Sequence, residues 1–150
     1  FVFSKDTKPK SAHLICDKEN KWAGHTPWGQ ATMRDKEGNR VERTQKPTPT
    51  HSPRNNIWRY ANGKGFTTND DFAYEHPAMF PEALARDHIL SWSDEGDLIL
   101  DPFMGAGTTA IMAHDTGRDF VGFEIDDTYF SICQRRIAER NNTVTQFFDE

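Results

Sequence analysis

Two carboxylates and a glycine turn are the residues of this chain best suited to chemistry. Asp101 stands four residues before the first glycine of Gly105-Ala106-Gly107-Thr108-Thr109, and Glu124 follows that glycine by 19. Gly105 and Gly107 permit a tight turn with backbone close to a ligand, while Thr108 and Thr109 are suited to cap a helix whose first N–H groups point at the same spot. An acidic side chain about 20 residues past such a turn, at the tip of the next strand, can accept both hydroxyls of a ribose. The plainer reading of Glu124, a strand-end carboxylate facing water, has the spacing against it. Together these residues describe a loop that holds a nucleotide-like cofactor.

The surrounding pattern supplies elements to position them. Leu98, Ile99 and Leu100 form a short apolar run that predicts a central strand of a parallel sheet, buried on both faces. Pro102 ends it and leaves Asp101 at the carboxyl edge, where open α/β sheets bind ligands. A helix from Thr109 to about Asp115 ends near Gly117, and Phe120-Val121-Gly122-Phe123 reads as a second strand. Ile125, beside Glu124, is placed to lie on an adenine face. Upstream, Pro81 opens a helix with Leu84, Ala85, His88, Ile89 and Trp92 at helical spacing. A last helix runs from Asp126 or Asp127 to about Arg140, with Tyr129, Cys133 and Ile137 inward and Arg135, Arg136 and Arg140 solvated near its C-terminus. Residues 141–150 read as a tail with a frayed strand at Val144 to Phe148.

The glycines do not choose the cofactor, because Gly105 to Ala110 also fits the permissive dinucleotide pattern. A Walker phosphate loop is excluded, since no Lys-Ser or Lys-Thr follows them. Asp101 is poorly suited to face a pyrophosphate and well suited to pair with an ammonium group. A sulfonium amino-acid nucleotide therefore fits better, and a nicotinamide dehydrogenase stands as a third reading.

The run from His76 to Asp126, HPAMFPEALARDHILSWSDEGDLILDPFMGAGTTAIMAHDTGRDFVGFEID, resembles the C-terminal half of the S-adenosylmethionine-dependent DNA amino-methyltransferases, which modify adenine N6 or cytosine N4. It is most similar to the circularly ordered group in which the catalytic tetrapeptide comes first, the target-recognition region next and the cofactor half last. The resemblance covers about a third of the chain closely. It implies an α/β fold, a partial Rossmann-like methyltransferase sheet with an irregular target-recognition segment. It also implies S-adenosylmethionine as cofactor, held by His76, Phe80, Asp101, Phe103, Gly105, Gly107, Thr108, Thr109, Glu124 and Ile125. His76 and Phe80 fall in the stretch that walls the methionine end. His76 invites a general-base role, a fixed wall residue being the stronger reading, and Phe80 can serve as wall and as helix staple at once.

One part of the family pattern is missing. The catalytic tetrapeptide is Asp, Asn or Ser followed by Pro-Pro and an aromatic residue, and the chain contains no Pro-Pro pair. Neither Asp101-Pro102-Phe103 nor His51-Ser52-Pro53-Arg54 replaces it. The chain is accordingly expected to be a C-terminal piece that begins after the catalytic half, with no catalytic residue of its own. Phe1 to Ser4 would be a late strand of that half, residues 1–15 its end, 16–75 the recognition region and linker, 76–140 the cofactor half and 141–150 the tail. In the family's sheet the catalytic strand lies beside the central one, so the run Leu98 to Leu100 is expected to present an unpaired edge, leaving the isolated chain marginal or prone to associate.

Charge divides the chain. Residues 1–64 hold 13 Lys and Arg against 6 Asp and Glu, whereas residues 65–150 hold 5 against 17. A basic part beside an acidic cofactor part suits a DNA-reading segment, although solvated loops have the same signature. Cys16 and Cys133 are too few and too far apart for a disulfide framework or a zinc site, and no metal is expected. No stretch resembles a signal peptide or membrane span, so a cytoplasmic protein of prokaryotic or phage type, without membrane partners, is expected.

Within the basic part, Met33 to Arg43 reads as a hairpin turning at Glu37-Gly38-Asn39, and Thr44 to Pro53 as an extended, linker-like stretch. Trp22 and Trp28 are expected to pack rather than to stack on bases. Arg54, Asn55, Asn56, Trp58 and Arg59 are the candidate DNA contacts, because Asn and Arg read base edges; a capped turn explains them equally well. The expected function is a site-specific DNA methyltransferase of a restriction-modification type, adenine N6 ahead of cytosine N4, acting on double-stranded DNA with a separate N-terminal catalytic half. The competing reading is a non-catalytic DNA-binding remnant of such an enzyme.

Overall fold

The computed structural model describes residues 5–26, 32–42 and 45–148, the last eight by their backbone. The expected strand Phe1 to Ser4 and Trp28 lie outside the described residues. The chain divides into two compact units, one spanning Leu14–Trp58 and the other taking in residues up to His13 and from Arg59 onward.

The Leu14–Trp58 unit is built from short antiparallel ladders. β1 (Lys18–Glu19) pairs with β4 (His51–Ser52), and β2 (Thr32–Arg34) pairs with β3 (Arg40–Glu42) with Met33 opposite Val41. The β2–β3 turn falls at the expected place: Asp35 Oδ1 accepts the N–H groups of Glu37 and Asn39, and Gly38 takes φ 88°. The stretch read as a linker is fastened instead. Thr48 and Thr50 carbonyls accept from Gly24 and Asn20, because prolines remove only their own donors and leave carbonyls to pair. No described residue of this unit is buried, and Trp22, expected to pack, is 65% exposed. Ladders two and three residues long enclose no interior in which an indole could be covered.

The other unit carries the α/β part. A 3-10 turn at Asp71–Glu75 leads to α1 (Glu82–Trp92), β5 (Leu98–Asp101), α2 (Thr108–Asp115), β6 (Asp119–Gly122) and α3 (Asp127–Phe148). β5 and β6 pair in parallel, Asp101 opposite Gly122, with α2 as the crossover between them. Ile99 and Phe120 point to one face, where they meet Ala85, Ile89, Ile111, Met112 and Ala113, with Ile137 of α3 alongside. Strand side chains alternate, so Leu98, Leu100 and Val121 point the other way and stay 64%, 63% and 41% exposed. The expectation of burial on both faces is thus corrected to one, since among the described residues the helices cover a single face and β5 pairs only with β6.

Two further expectations change. α3 runs on to Phe148, replacing the tail and frayed strand; Asn and Thr at 141–145 are tolerated in a helix where nothing stops it. Residues 5–10 form the exposed turn that their lysines and Pro9 lead one to expect; Lys10 bonds Asp97, while Ser11 and His13 bond the Asp94 carboxylate, tying this segment to the turn before β5. Residues 59–75 belong to the same unit as the cofactor loop. No helix among the described residues is long and apolar enough to cross a membrane.

Candidate cofactor site

Parallel pairing of β5 with β6 brings their carboxyl ends side by side. The Phe123 N–H donates to the Asp101 carbonyl and the Met104 N–H to the Phe123 carbonyl, so the loop after β5 is laced to the loop after β6. The Asp101 carboxylate accepts the Phe103 N–H at 3.0 Å, which holds it at the strand end.

The glycine loop is shaped by what lies against it. Gly105 and Gly107 take φ 53° and 79°, left-handed values that favour glycine. A Cβ on Gly105 would stand 3.1 Å from His76 Nε2, and one on Gly107 would collide with Cys133 Sγ. Gly107 itself is the N-cap of α2, with no side-chain cap. Thr108 and Thr109 therefore do not cap the helix as expected: they are its first residues, because glycine already provides the non-helical turn. Thr108 is buried, and its hydroxyl lies 3.4 Å from Arg136.

Glu124 is fixed at the same edge by two backbone donors. Oε2 accepts the Gly105 N–H at 2.8 Å and Oε1 the Asp126 N–H at 2.9 Å. The Asp126 N–H, with that of Gly105, holds the carboxyl below the usual glutamate range. Each oxygen keeps a lone pair for another donor. Burial pushes the nearby Cys133 thiol up, so it is a packing group rather than a nucleophile.

Of the expected site residues, Gly105 bonds Glu124 and lies against His76, Phe103 and Gly107 share its loop, and Asp101 ends the strand that leads into it. His76 turns its ring edge-on to Tyr129, centroids 4.3 Å apart, and its Nδ1 accepts the Ala78 N–H. Phe103 and Ile125 are 88% and 99% exposed. Phe80 and Thr109 line a cavity of about 480 Å³ with Leu84, His88, Trp92 and Ile99. In the Leu14–Trp58 unit, Arg54 is paired with Asp17 through Nε at 2.8 Å and Nη2 at 2.5 Å and stacks on Trp58. Asn55 accepts from Lys18, whereas Arg59 belongs to the other unit.

Sequence reasoning left Arg136 in solvent, and the structure buries it to 1% exposure. The helical repeat held the signal, since Arg136 follows Cys133 by three and shares the inward stripe. The acids that accompany it, Asp70 and Glu82, are far away in sequence and gave no such signal.

The site's donor and acceptor set fits a nucleoside that bears an amino acid: a fixed carboxylate at the second strand tip, an exposed aliphatic residue next to it, an acid at the first strand tip and the first-turn N–H groups of α2, which have no acceptor within the helix. A family model described as DNA methylase, covering N6 and N4 enzymes, matches residues 1–135. The chain belongs to the DNA methylase family. The orphan methyltransferase M.BamHII of Bacillus amyloliquefaciens is 45% identical over 138 residues, 91% of this chain and 52% of that protein. The DNA adenine methyltransferase YhdJ of Escherichia coli (strain K12) is 45% identical over 62 residues, 41% of this chain and 21% of its own length. Among solved structures, the M1.HpyAVI–SAM complex aligns at 27% identity over 53% of this chain and 43% of its own, with a TM-score of 0.42. The chain spans about half the length of M.BamHII.

Proposed function

We propose that this DNA methylase chain binds S-adenosylmethionine at the β5–β6 edge and serves methyl transfer to an exocyclic base amine, adenine N6 ahead of cytosine N4. The observation that carries the reading is the Glu124 carboxylate, held on both oxygens by backbone N–H groups beside the glycine turn. A carboxylate so fixed is suited to two ribose hydroxyls, with Ile125 against the adenine and Asp101 toward the ammonium group. His76 and Phe80 serve as the wall at the methionine end. When bound, the sulfonium supplies an electrophilic methyl group.

The chain's own contribution is to bind and orient the donor. Holding it at a fixed place and angle supplies proximity and orientation rather than acid–base work. The target base has to leave the duplex for its amino group to be reached. The residues that would grip it, the Pro-Pro tetrapeptide, are not among these 150. We assign that task to a separate catalytic half whose strand pairs along the edge of β5 that is free among the described residues, an edge flanked by exposed Leu98 and Leu100. Arg54, Asn55, Asn56, Trp58 and Arg59 are kept as the DNA contacts, in a basic region suited to phosphate. The chain alone is then inactive.

The test is incubation of the chain with methyl-labelled S-adenosylmethionine and duplex DNA, followed by digestion and nucleoside chromatography. Retention of label on the protein without label in DNA is expected; N6-methyladenine should form once a tetrapeptide-bearing half is added. Turnover by the chain alone, or label in N4-methylcytosine, would contradict the assignment at the corresponding step.

A further inference from the structure

The Arg136 guanidinium is buried, and nothing in the proposed chemistry uses it. Its donors reach three separate stretches of chain. Nη1 donates to the Ala106 carbonyl, inside the glycine loop, at 2.8 Å, and lies 3.4 Å from Thr108 Oγ1 at the start of α2. Nη2 donates to Glu82 Oε1 at 2.6 Å and to Thr68 Oγ1 at 3.3 Å, and Nε donates to Asp70 Oδ2 at 2.9 Å. Glu82 opens α1, and Asp70 is the N-cap of the 3-10 turn. Between those two acids runs the segment that carries His76 and Phe80.

One planar cation therefore joins the underside of the glycine loop to both ends of the His76–Phe80 segment. The loop is pinned between them: Ala106 is drawn toward Arg136, and Gly105 faces His76 across a gap that a Cβ would nearly fill. Burying a charge is costly unless its donors are used, and an apolar side chain of similar volume would serve packing alone. A rigid fork of donors fixes several acceptors at once, which an ammonium cannot do.

We propose that Arg136 is a positioning residue that sets the spacing between the two walls of the cofactor site, the glycine loop and the His76–Phe80 segment. The proposal rests on the S-adenosylmethionine reading given above. The amino-acid end of the ligand meets both walls and feels the spacing. The adenosine end meets Glu124 and Ile125, neither of which bonds Arg136.

The test is calorimetric titration of the full chain with S-adenosylmethionine and, separately, with adenosine, for wild type, Arg136→Lys, Arg136→Met, Glu82→Gln and the Arg136→Lys/Glu82→Gln pair. Arg136→Lys should weaken S-adenosylmethionine by about tenfold and Arg136→Met by more, with adenosine changed less than about twofold. Glu82→Gln, which also meets Thr68 and Arg140 but among the described residues reaches the loop through Arg136, should weaken it severalfold and add little to Arg136→Lys. Should Arg136→Met fail to fold by circular dichroism, the lysine and glutamine variants decide. Unchanged affinity in Arg136→Lys, equal losses for both ligands, or additive effects overturn the positioning role while leaving the cofactor reading intact. A wild-type chain that binds neither ligand overturns the cofactor reading, and the proposal with it.

Discussion

Gly105 donates its backbone N–H to Glu124 Oε2 at 2.8 Å, although the two residues are 19 apart in sequence. The bond joins the loop after β5 to the tip of β6 and holds the carboxylate beside the turn. It also sets the Glu124 side chain in place before any ligand arrives, which lowers the ordering cost of binding.

The first prediction concerns pH. Backbone donors from Asp126 and Gly105 lower the Glu124 carboxyl below its ordinary range. A lowered carboxyl contributes stability that is present above the ordinary glutamate range and lost as pH falls through its lowered value. Affinity for S-adenosylmethionine should therefore stay flat from about pH 7, where the ligand's ammonium group is still protonated, to about 5 and decline only below the ordinary glutamate value of about 4.3. A midpoint at or above that value, measured by titration across this range, would count against the two-donor geometry.

Gly107 supplies the second prediction. Alanine there meets Cys133 Sγ and must adopt φ 79°. Strain and overpacking together should cost about 2–4 kcal/mol, read from urea unfolding. Cys133→Ala should recover the part of the steric share that is due to Sγ, its Cβ remaining 3.1 Å away, and not the share due to the dihedral. Full recovery, or none, would show that one of the two causes was misjudged.

Trp22 gives a third. With the ring 65% exposed, Trp22→Ala should change stability by less than about 1 kcal/mol. A loss in the range of about 3–5 kcal/mol, the usual cost of a buried Trp, would mean that the ring is covered in solution.

How much was legible in the sequence follows from the range of each interaction. The turn, the two strands and α1 were readable because glycine, proline and apolar spacing act within a few residues, as did the Glu37-Gly38-Asn39 turn. The one-sided burial of β5 was not, since a short apolar run looks the same whether one face or two are covered. The Thr44 to Pro53 stretch looked like a linker because prolines hide the carbonyl bonding that ties it down. Arg136 was misplaced for a related reason: its partners Thr68, Asp70 and Glu82 lie more than 50 residues away.

The open side of β5 yields a fourth prediction. Leu98, Leu100 and Val121 present an apolar face next to a strand edge that is unpaired among the described residues. The chain on its own should self-associate as concentration rises and melt over a broad range. A sharp, concentration-independent monomer transition in sedimentation and calorimetry would contradict this.

The most direct measurement is calorimetric titration of the chain with S-adenosylmethionine, before and after Glu124→Ala. The account predicts binding by the wild-type chain and a loss of at least about 100-fold in the variant, because two charge-assisted hydrogen bonds to the ribose disappear at about 1.5–3 kcal/mol each. Equal affinity in the two proteins, or binding of NAD in preference to S-adenosylmethionine, would contradict it.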